Sequence, residues 1–227
     1  MTDLLSDPQL TWYVARATGV TCLVLLTMSL VLGIGAGTRV SSTRWPRFVT
    51  QSLHRSVSLF AVALLAVHVA SVVLDDYVRI TVTDAFVPFV SAYRPIWLGL
   101  GSLSSDLLLV VTVTSLLRQR IGYGTWRAVH WTSYACWPLA VVHGLGTGTD
   151  TRRDWNIWVT VGCVALVLLA FAWRVVDGWP RRATVRVGAA LVAACAVAVV
   201  FTWAKQGPFA PNWSKRANTP PPVVGAR

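Results

Sequence analysis

The chain has 227 residues, of which 55% are hydrophobic and only 13% are charged. Soluble domains carry about 25% charged residues, so this composition excludes an ordinary soluble protein and indicates an integral membrane protein. The formal net charge of +11 does not indicate nucleic-acid binding, because the basic residues are concentrated in loops between apolar segments.

Six apolar stretches each provide the roughly 20 residues that a membrane-spanning helix needs. We expect helices here, because backbone groups in lipid must be hydrogen-bonded within the segment. The sequence therefore predicts an all-α integral membrane protein, a six-helix transmembrane bundle within residues 1–204, followed by a flexible proline-rich tail, 205–227. The six stretches are 12–36, 55–74, 97–117, 127–146, 155–174 and 185–204.

The first, third and fifth connections carry most of the basic residues, and the positive-inside rule makes that side cytoplasmic. Both termini and the loops 75–96 and 147–154 are then extracytoplasmic. We expect a multi-pass protein of the cell membrane, surrounded by lipid. The basic residues that set this orientation are Arg39, Arg44, Arg47, Arg55, Arg118, Arg120, Arg127, Arg174, Arg181, Arg182 and Arg186.

The first two predicted helices carry Arg16, near the outer end of the first, and two of the four histidines, His54 and His68, in the second. Ionisable side chains at membrane depth are costly and therefore indicate function. The two histidines are separated by roughly 21 Å along a helix and face almost the same direction. Small residues, such as GIGAG at 33–37 and GLGS at 99–102, predict close helix approach.

The third predicted helix carries Asp106, and the fourth carries the other two histidines, His130 and His143. An ideal helix turns these histidines about 140° away from each other over roughly 20 Å. Pro138 lies between them and removes a backbone hydrogen bond, so we expect the helix to be bent or rewound there. Asp106 offers a carboxylate that accepts a hydrogen bond from a histidine, relays a proton or lines a polar pocket; the sequence does not choose among these roles.

The second and fourth helices run in the same direction, so like ends meet. His54 is expected beside His130 near the cytoplasmic side, and His68 beside His143 near the outer side. Each pair can hold one haem iron from both faces, and an iron with two protein ligands suits electron transfer better than oxygen binding. The alternative is that the histidines form interhelical hydrogen bonds without any cofactor.

Haem propionates need cationic or hydrogen-bonding partners. The candidates are Arg55 and Arg127 for the inner haem and Arg16 for the outer haem. The alternative for each is an interfacial arginine whose charged head reaches the lipid surface.

The pattern H-x13-H on one helix and H-x12-H two helices later resembles the ferric-reductase-like transmembrane domain shared by ferric reductases and NADPH oxidases. WRAVHWTSYACWPLAVVHG also resembles the haem-binding subunit of the periplasmic methionine sulfoxide reductase system. WYVARATG, LHRSVSL and DAFVPFVSAYRPIWLGLG are similar to the stand-alone actinobacterial version. The resemblance covers about residues 11–175 and implies two b-type haems with His54, His68, His130 and His143 as axial ligands.

Oxidases and ferric reductases of this kind continue into a cytoplasmic FAD and NADPH module. This chain instead has a further apolar segment, and it contains no GxGxxG motif. We therefore expect no flavin or nicotinamide site here, and an oxidoreductase component whose electrons come from a cytoplasmic flavoprotein reductase or a membrane quinol. The expected acceptor is an extracytoplasmic ferric chelate or a partner protein, either a flavoprotein or a repair enzyme.

Two other classes of function stay open on the sequence. Stacked histidines suit a transporter of divalent metal ions, although Asp106 is the only carboxylate that such a path would find within a span. A structural membrane subunit that anchors an extracytoplasmic partner is the second alternative.

Overall fold

The computed structural model describes residues 10–37, 46–75, 78–177, 179–180 and 182–220. Within these ranges the regular structure is entirely helical. The long helices are apolar almost throughout, and an internally hydrogen-bonded helix is what such a segment adopts in lipid. In chain order the described helices are α1 (Leu10–Gly37), α2 (Arg47–Val73), α3 (Val82–Phe86), α4 (Pro95–Leu116), α5 (Arg118–Ile121), α6 (Tyr123–His130), α7 (Ser133–Thr147), α8 (Asp154–Val176), α9 (Ala183–Gln206) and α10 (Trp213–Arg216).

Five of the described helices, α1, α2, α4, α8 and α9, are long and apolar enough to cross a membrane. This confirms a multi-pass, all-helical membrane protein. The sequence predicts a sixth continuous span over 127–146, but the structure divides that segment into α6 and α7 at Trp131 and Thr132. Neither piece reaches the roughly 20 residues of a full span.

The division of this segment has a local cause. The amide of Thr132 donates to the carbonyl of Val129 at 3.0 Å, and that of Ala135 donates to the carbonyl of Thr132 at 2.9 Å. Bonds to the third preceding residue are those of a tighter helix and rewind the chain. Pro138, where the sequence predicts the distortion, lies inside α7, and the helix continues through it.

The packing of the described helices centres on α1, which runs along α2 and also contacts α7 and α8, while α4 runs along α7. Trp137 Nε1 on α7 donates to Thr27 Oγ1 on α1 at 2.8 Å, and Ser104 Oγ on α4 donates to the carbonyl of Cys136 at 2.8 Å. Neither α6, which carries His130, nor α7, which carries His143, packs closely against α2, which carries His54 and His68. Two tight pairs, α1–α2 and α4–α7, therefore hold the histidine helices apart.

α9 lies at the edge of the described bundle. Its main neighbour is α8, and an apolar groove of about 580 Å³ lies between the two helices. Most α9 side chains are exposed on the protein surface, as expected for a helix that faces lipid.

The tail that the sequence predicts to be flexible, 205–227, is described as far as residue 220. Residues 207–219 fold over the first turn of α4 and the last turn of α7, where Trp213 Nε1 donates to the carbonyl of Gly146 at 3.0 Å. The Trp213 ring lies 5.3 Å from that of Trp97 and 6.1 Å from that of Trp203. Residues 1–9 and 221–227 lie outside the described residues, as do Arg39, Arg44 and Arg181 of the basic connections.

Candidate functional site

The four histidines lie at two levels of the bundle. At one level, here called the His54 end, the rings of His54 and His130 have centroids 6.2 Å apart and an interplanar angle of 82°. At the other, the His143 end, lie His68 and His143, whose Nδ1 atoms contact the backbone carbonyls of Ala15 and Trp97. An ion pair between Arg16, early in α1, and a carboxylate just after α7, that of Asp150, joins the helix ends there.

Both histidines of α2 are held by backbone carbonyls of α1. His54 Nδ1 donates to the carbonyl of Ser29 at 2.9 Å, and His68 Nδ1 donates to the carbonyl of Ala15 at 2.8 Å. A carbonyl oxygen only accepts, so each neutral ring carries its proton on Nδ1 and keeps the lone pair on Nε2. The hydroxyl of Thr18 lies 3.5 Å from His68 Nδ1 and supports the same arrangement.

His143 repeats this arrangement on α4. Its Nδ1 donates to the carbonyl of Trp97 at 2.9 Å. Hydrogen bonds of this kind orient metal-ligating histidines, fix their tautomer and raise the basicity of the ligating nitrogen. Three of the four imidazoles are therefore prepared to bind a metal through Nε2.

A glycine follows each of the three carbonyl residues by four positions, one helical turn later. The imidazole packs over this glycine, so the carbonyl holds Nδ1 and the absent side chain makes room for the ring. The three pairs are Gly19 beside His68, Gly33 beside His54, and Gly101 beside His143.

The same step that separates the two α2 histidines also relates the contact sites on α1. Ala15 and Ser29 are 14 residues apart, as are His54 and His68. Because α1 and α2 are antiparallel and have the same spacing, α1 presents one carbonyl and one glycine to each histidine of α2.

A step of 14 residues along α4 leads from Trp97 to Val111 and from Gly101 to Ser115. Position 115 is a serine and not a glycine, so the pairing of a carbonyl with a glycine is not repeated there. Ser115 Oγ donates to the Val111 carbonyl at 2.6 Å. If the repeat held, the Val111 carbonyl would be the acceptor for His130 Nδ1.

His130 is accordingly the exception among the four histidines. Its Nδ1 is buried and has no hydrogen-bond partner among the described residues. Its ring stacks on Trp126, with centroids 5.0 Å apart and an interplanar angle of 28°. The indole Nε1 of Trp126 in turn donates to Ser115 Oγ at 3.2 Å.

The donor set fits a haem iron. Two metal–nitrogen bonds of about 2 Å each place two opposed imidazole centres about 6 Å apart, close to the 6.2 Å between His54 and His130. Two protein ligands suffice for haem. Within the part of the chain that the structure describes, no group of three or more His, Cys, Asp or Glu is placed to hold a metal ion.

The arginines predicted to bind propionates lie in different surroundings. Arg16 pairs with Asp150, and its guanidinium lies 3.9 Å from the ring centre of Trp12. Arg55 and Arg127, at the His54 end, are exposed and form no ion pair with another described residue. Among the residues that the structure describes, these two charges therefore have no opposite charge, whereas that of Arg16 is already neutralised.

Two further ionisable residues lie on or beside α4. Asp106 is half-buried and makes no hydrogen bond to the described residues, so none of its possible roles is favoured. Arg94, which the sequence analysis does not select, is buried at the start of α4. No sequence signal separates Arg94 from an ordinary interfacial arginine, because its burial depends on the distant residues that cover it.

Comparison with known proteins gives one match. A family model described as "Ferric reductase like transmembrane component" matches residues 18–141, more than half of the 227 residues. The matched segment begins in α1 and ends in α7, two residues before His143. Among curated proteins and among solved structures, no match to the chain is found.

Proposed function

The chain belongs to the family of ferric reductase like transmembrane components, and from this premise we propose that it is a dihaem b-type electron-transfer protein. Domains of this family typically bind haem. Electrons enter at the His54 end and leave at the His143 end, where an extracytoplasmic acceptor receives them.

The observation that carries this proposal is the facing pair of His54 and His130, whose ring centroids are 6.2 Å apart. Three of the four imidazoles donate Nδ1–H to a backbone carbonyl and leave Nε2 as the free ligand. Interhelical hydrogen bonding alone accounts for these three bonds. It does not account for the facing pair of His54 and His130, in which the buried Nδ1 of His130 lacks a partner among the described residues.

When bound, each haem supplies a reversible one-electron change at its iron. The chain's own residues would hold the two groups at fixed depths: His54 with His130 at one level, and His68 with His143 at the other. A separation of roughly 21 Å along α2 keeps both levels within a hydrocarbon core of about 30 Å.

The direction of electron flow follows from charge. The basic connections put the His54 end on the cytoplasmic side by the positive-inside rule. An inside-negative membrane potential then favours outward electron movement by about 2.3 kcal/mol per 100 mV. The donor we propose is a cytoplasmic flavoprotein reductase or a membrane quinol.

The proposal is tested by counting haems in histidine variants. Purified protein should contain two haems per chain, and His68→Ala or His143→Ala should each leave one, still reducible from the donor side. The visible and EPR spectra of the remaining haem would identify which of the two is lost. Val192→Ala, at a position 70% exposed on α9, is the matched control and should keep both haems.

Three outcomes would contradict the proposal. Persistence of both haems after either histidine change would show that the ligand assignment is wrong. Colourless parent protein with bound zinc or copper would support a divalent-metal transporter instead. Colourless, metal-free protein would support a structural anchor subunit.

A further inference from the structure

Arg94 is a buried cation at the His143 end. Only 6% of its surface is exposed. Its Nη1 donates to the carbonyl of Gly146 at 2.8 Å, and its Nε donates to Thr219 Oγ1 at 2.8 Å. Both acceptors are neutral, and Arg94 has no ion pair with another described residue. A buried charge without an opposite charge is strongly unfavourable. We therefore expect this guanidinium to bind an anion.

The position of Arg94 is fixed by the tail as well as by α4. Its backbone is left-handed, with φ 42°, a conformation that residues with a side chain rarely adopt. Its amide donates to the carbonyl of Asn218 at 3.1 Å. Asn218 therefore binds the backbone of Arg94 and Thr219 binds its side chain, and together they fix the position of the guanidinium.

That place adjoins the histidine level. Gly146, which accepts from Arg94, follows His143 by three residues on α7, less than one helical turn of about 5.4 Å. Trp97, whose carbonyl holds His143 Nδ1, follows Arg94 by three residues. The guanidinium and the imidazole are thus tied to the same two helix ends.

We propose that Arg94 binds a propionate carboxylate of the haem held by His68 and His143. This inference rests on the proposed function. A guanidinium with one nitrogen already fixed on Gly146 and another on Thr219 retains Nη2, which has no hydrogen bond to the described residues, for the carboxylate. Arginine–carboxylate pairs of this kind are strong and directional.

Arg16, the candidate that the sequence selects for the outer haem, differs in this respect. Its charge is already met by the carboxylate of Asp150, whereas Arg94 has two neutral acceptors and the ring of Tyr93, 5.3 Å from its guanidinium. A propionate at Arg16 would have to displace a carboxylate, whereas at Arg94 it would supply the missing one.

The test compares Arg94→Gln with Arg94→Lys in the full-length protein. Removing the cation should disfavour the reduced haem at the His143 end, because reduction adds an electron there. We expect the equilibrium constant for reduction of that haem to fall about tenfold, which is about 59 mV for a one-electron couple. Arg94→Lys should keep most of the potential, and the haem at the His54 end serves as the internal reference. Arg79→Gln, an exposed arginine in the loop before α3, is the control.

A second measurement separates carboxylate binding from packing. The parent and Arg94→Gln are each loaded with protohaem or with its dimethyl ester, and transfer of haem to apomyoglobin is followed. Arg94→Gln should speed loss of protohaem from the His143 end about tenfold and leave loss of the ester unchanged. Equal acceleration of both would overturn the inference, since a merely structural residue affects both alike.

Other results would also decide against it. No change in potential or in haem loss on Arg94→Gln, in a parent that holds two haems, would overturn the inference and leave the proposed function standing. Ester-sensitive loss in Arg16→Gln alone would place the carboxylate at Arg16. If Arg94→Gln fails to fold, Thr219→Val replaces it as the test. This variant keeps the charge of Arg94 but removes one of its acceptors, so it should give a smaller loss of protohaem retention. An unchanged retention would show that the tail does not contribute to the site. A parent without haem would overturn both proposals.

Discussion

At the scale of single residues, three glycines determine how closely the histidine rings approach α1 and α4. A Cβ at Gly33 would lie 3.3 Å from His54 Cε1, and one at Gly19 would lie 3.0 Å from His68 Cε1. At Gly101 a Cβ would overlap the His143 ring itself. The space for the ring therefore decreases from Gly33 to Gly19 to Gly101.

Alanine substitutions at these glycines should have graded effects. We expect Gly101→Ala to destabilise the protein by about 2–3 kcal/mol and to remove the haem at the His143 end. Gly19→Ala should cost about 1 kcal/mol, and Gly33→Ala should cost less. Thermal unfolding in detergent and haem content measure both effects.

The controls for this series are Gly162→Ala and Gly188→Ala, where a Cβ meets nothing within 4 Å. These changes should be neutral or stabilising by up to about 1 kcal/mol, since alanine is the better helix former. Equal losses at all five glycines would show that helix flexibility, and not the ring contact, is responsible.

The residues of the site differ in how far the sequence could predict them. The histidines are found because an ionisable side chain at membrane depth is conspicuous. Their carbonyl partners are not, because every residue has a carbonyl and only packing selects Ala15, Ser29 and Trp97. The 14-residue repeat on α1, matched to that on α2, is a signal that could have identified the glycines, yet GIGAG is predicted only as a place of close helix approach.

At the scale of helices, α4 repeats the design of α1 incompletely. Ser115 occupies the position where the repeat expects glycine, and its hydroxyl bonds to the Val111 carbonyl. His130 consequently lacks the support that the other three histidines have. The two histidine levels should therefore differ in ligand strength.

Ser115→Gly should restore the repeat and let His130 Nδ1 donate to the Val111 carbonyl. A hydrogen bond there makes Nε2 more basic, so haem at the His54 end should be retained longer and have a lower potential. Potentiometric titration and haem transfer to apomyoglobin measure this. Ser105→Gly also removes a hydroxyl–carbonyl bond from α4, but no histidine contact is known there, and it should change neither property. The same response in both variants would refute the repeat.

The interruption between α6 and α7 changes the angle at which His130 and His143 face each other. On one ideal helix His130 and His143 face about 140° apart, whereas the structure places them on two helices with a rewound turn between. The sequence analysis assigns the distortion to Pro138, because proline is the known helix breaker. The rewound turn lies at Trp131 and Thr132, where amides donate to the third preceding carbonyl, and hydropathy does not detect this.

At the scale of the whole molecule, composition and hydropathy predict the membrane class and the positions of most spans. The expected segments 12–36 and 155–174 correspond to Leu10–Gly37 and Asp154–Val176. These boundaries are predictable because the thickness of the bilayer sets the length of an apolar helix. Contacts between distant segments, such as the tail against α4, have no comparable signal in a single sequence.

The orientation of the molecule is testable with single cysteines. In a variant lacking Cys22, Cys136, Cys163 and Cys195, a membrane-impermeant maleimide applied to intact cells should label Arg79→Cys but not Gln119→Cys. Both positions are exposed, and the positive-inside rule puts them on opposite sides. Permeabilised cells, in which both should react, give the control. The reverse labelling would invert the direction of electron flow without affecting the haem ligands.

The position of α9 at the edge of the bundle determines how much of its sequence can be replaced. This helix contacts little of the bundle besides α8, but it carries the chain back to the end where residues 207–219 reach Arg94 and Gly146. Its length and its last turn, with Trp203 against Trp97 at 4.7 Å, therefore matter more than the identity of the side chains before it. A generic leucine–alanine helix of equal length should substitute for most of α9.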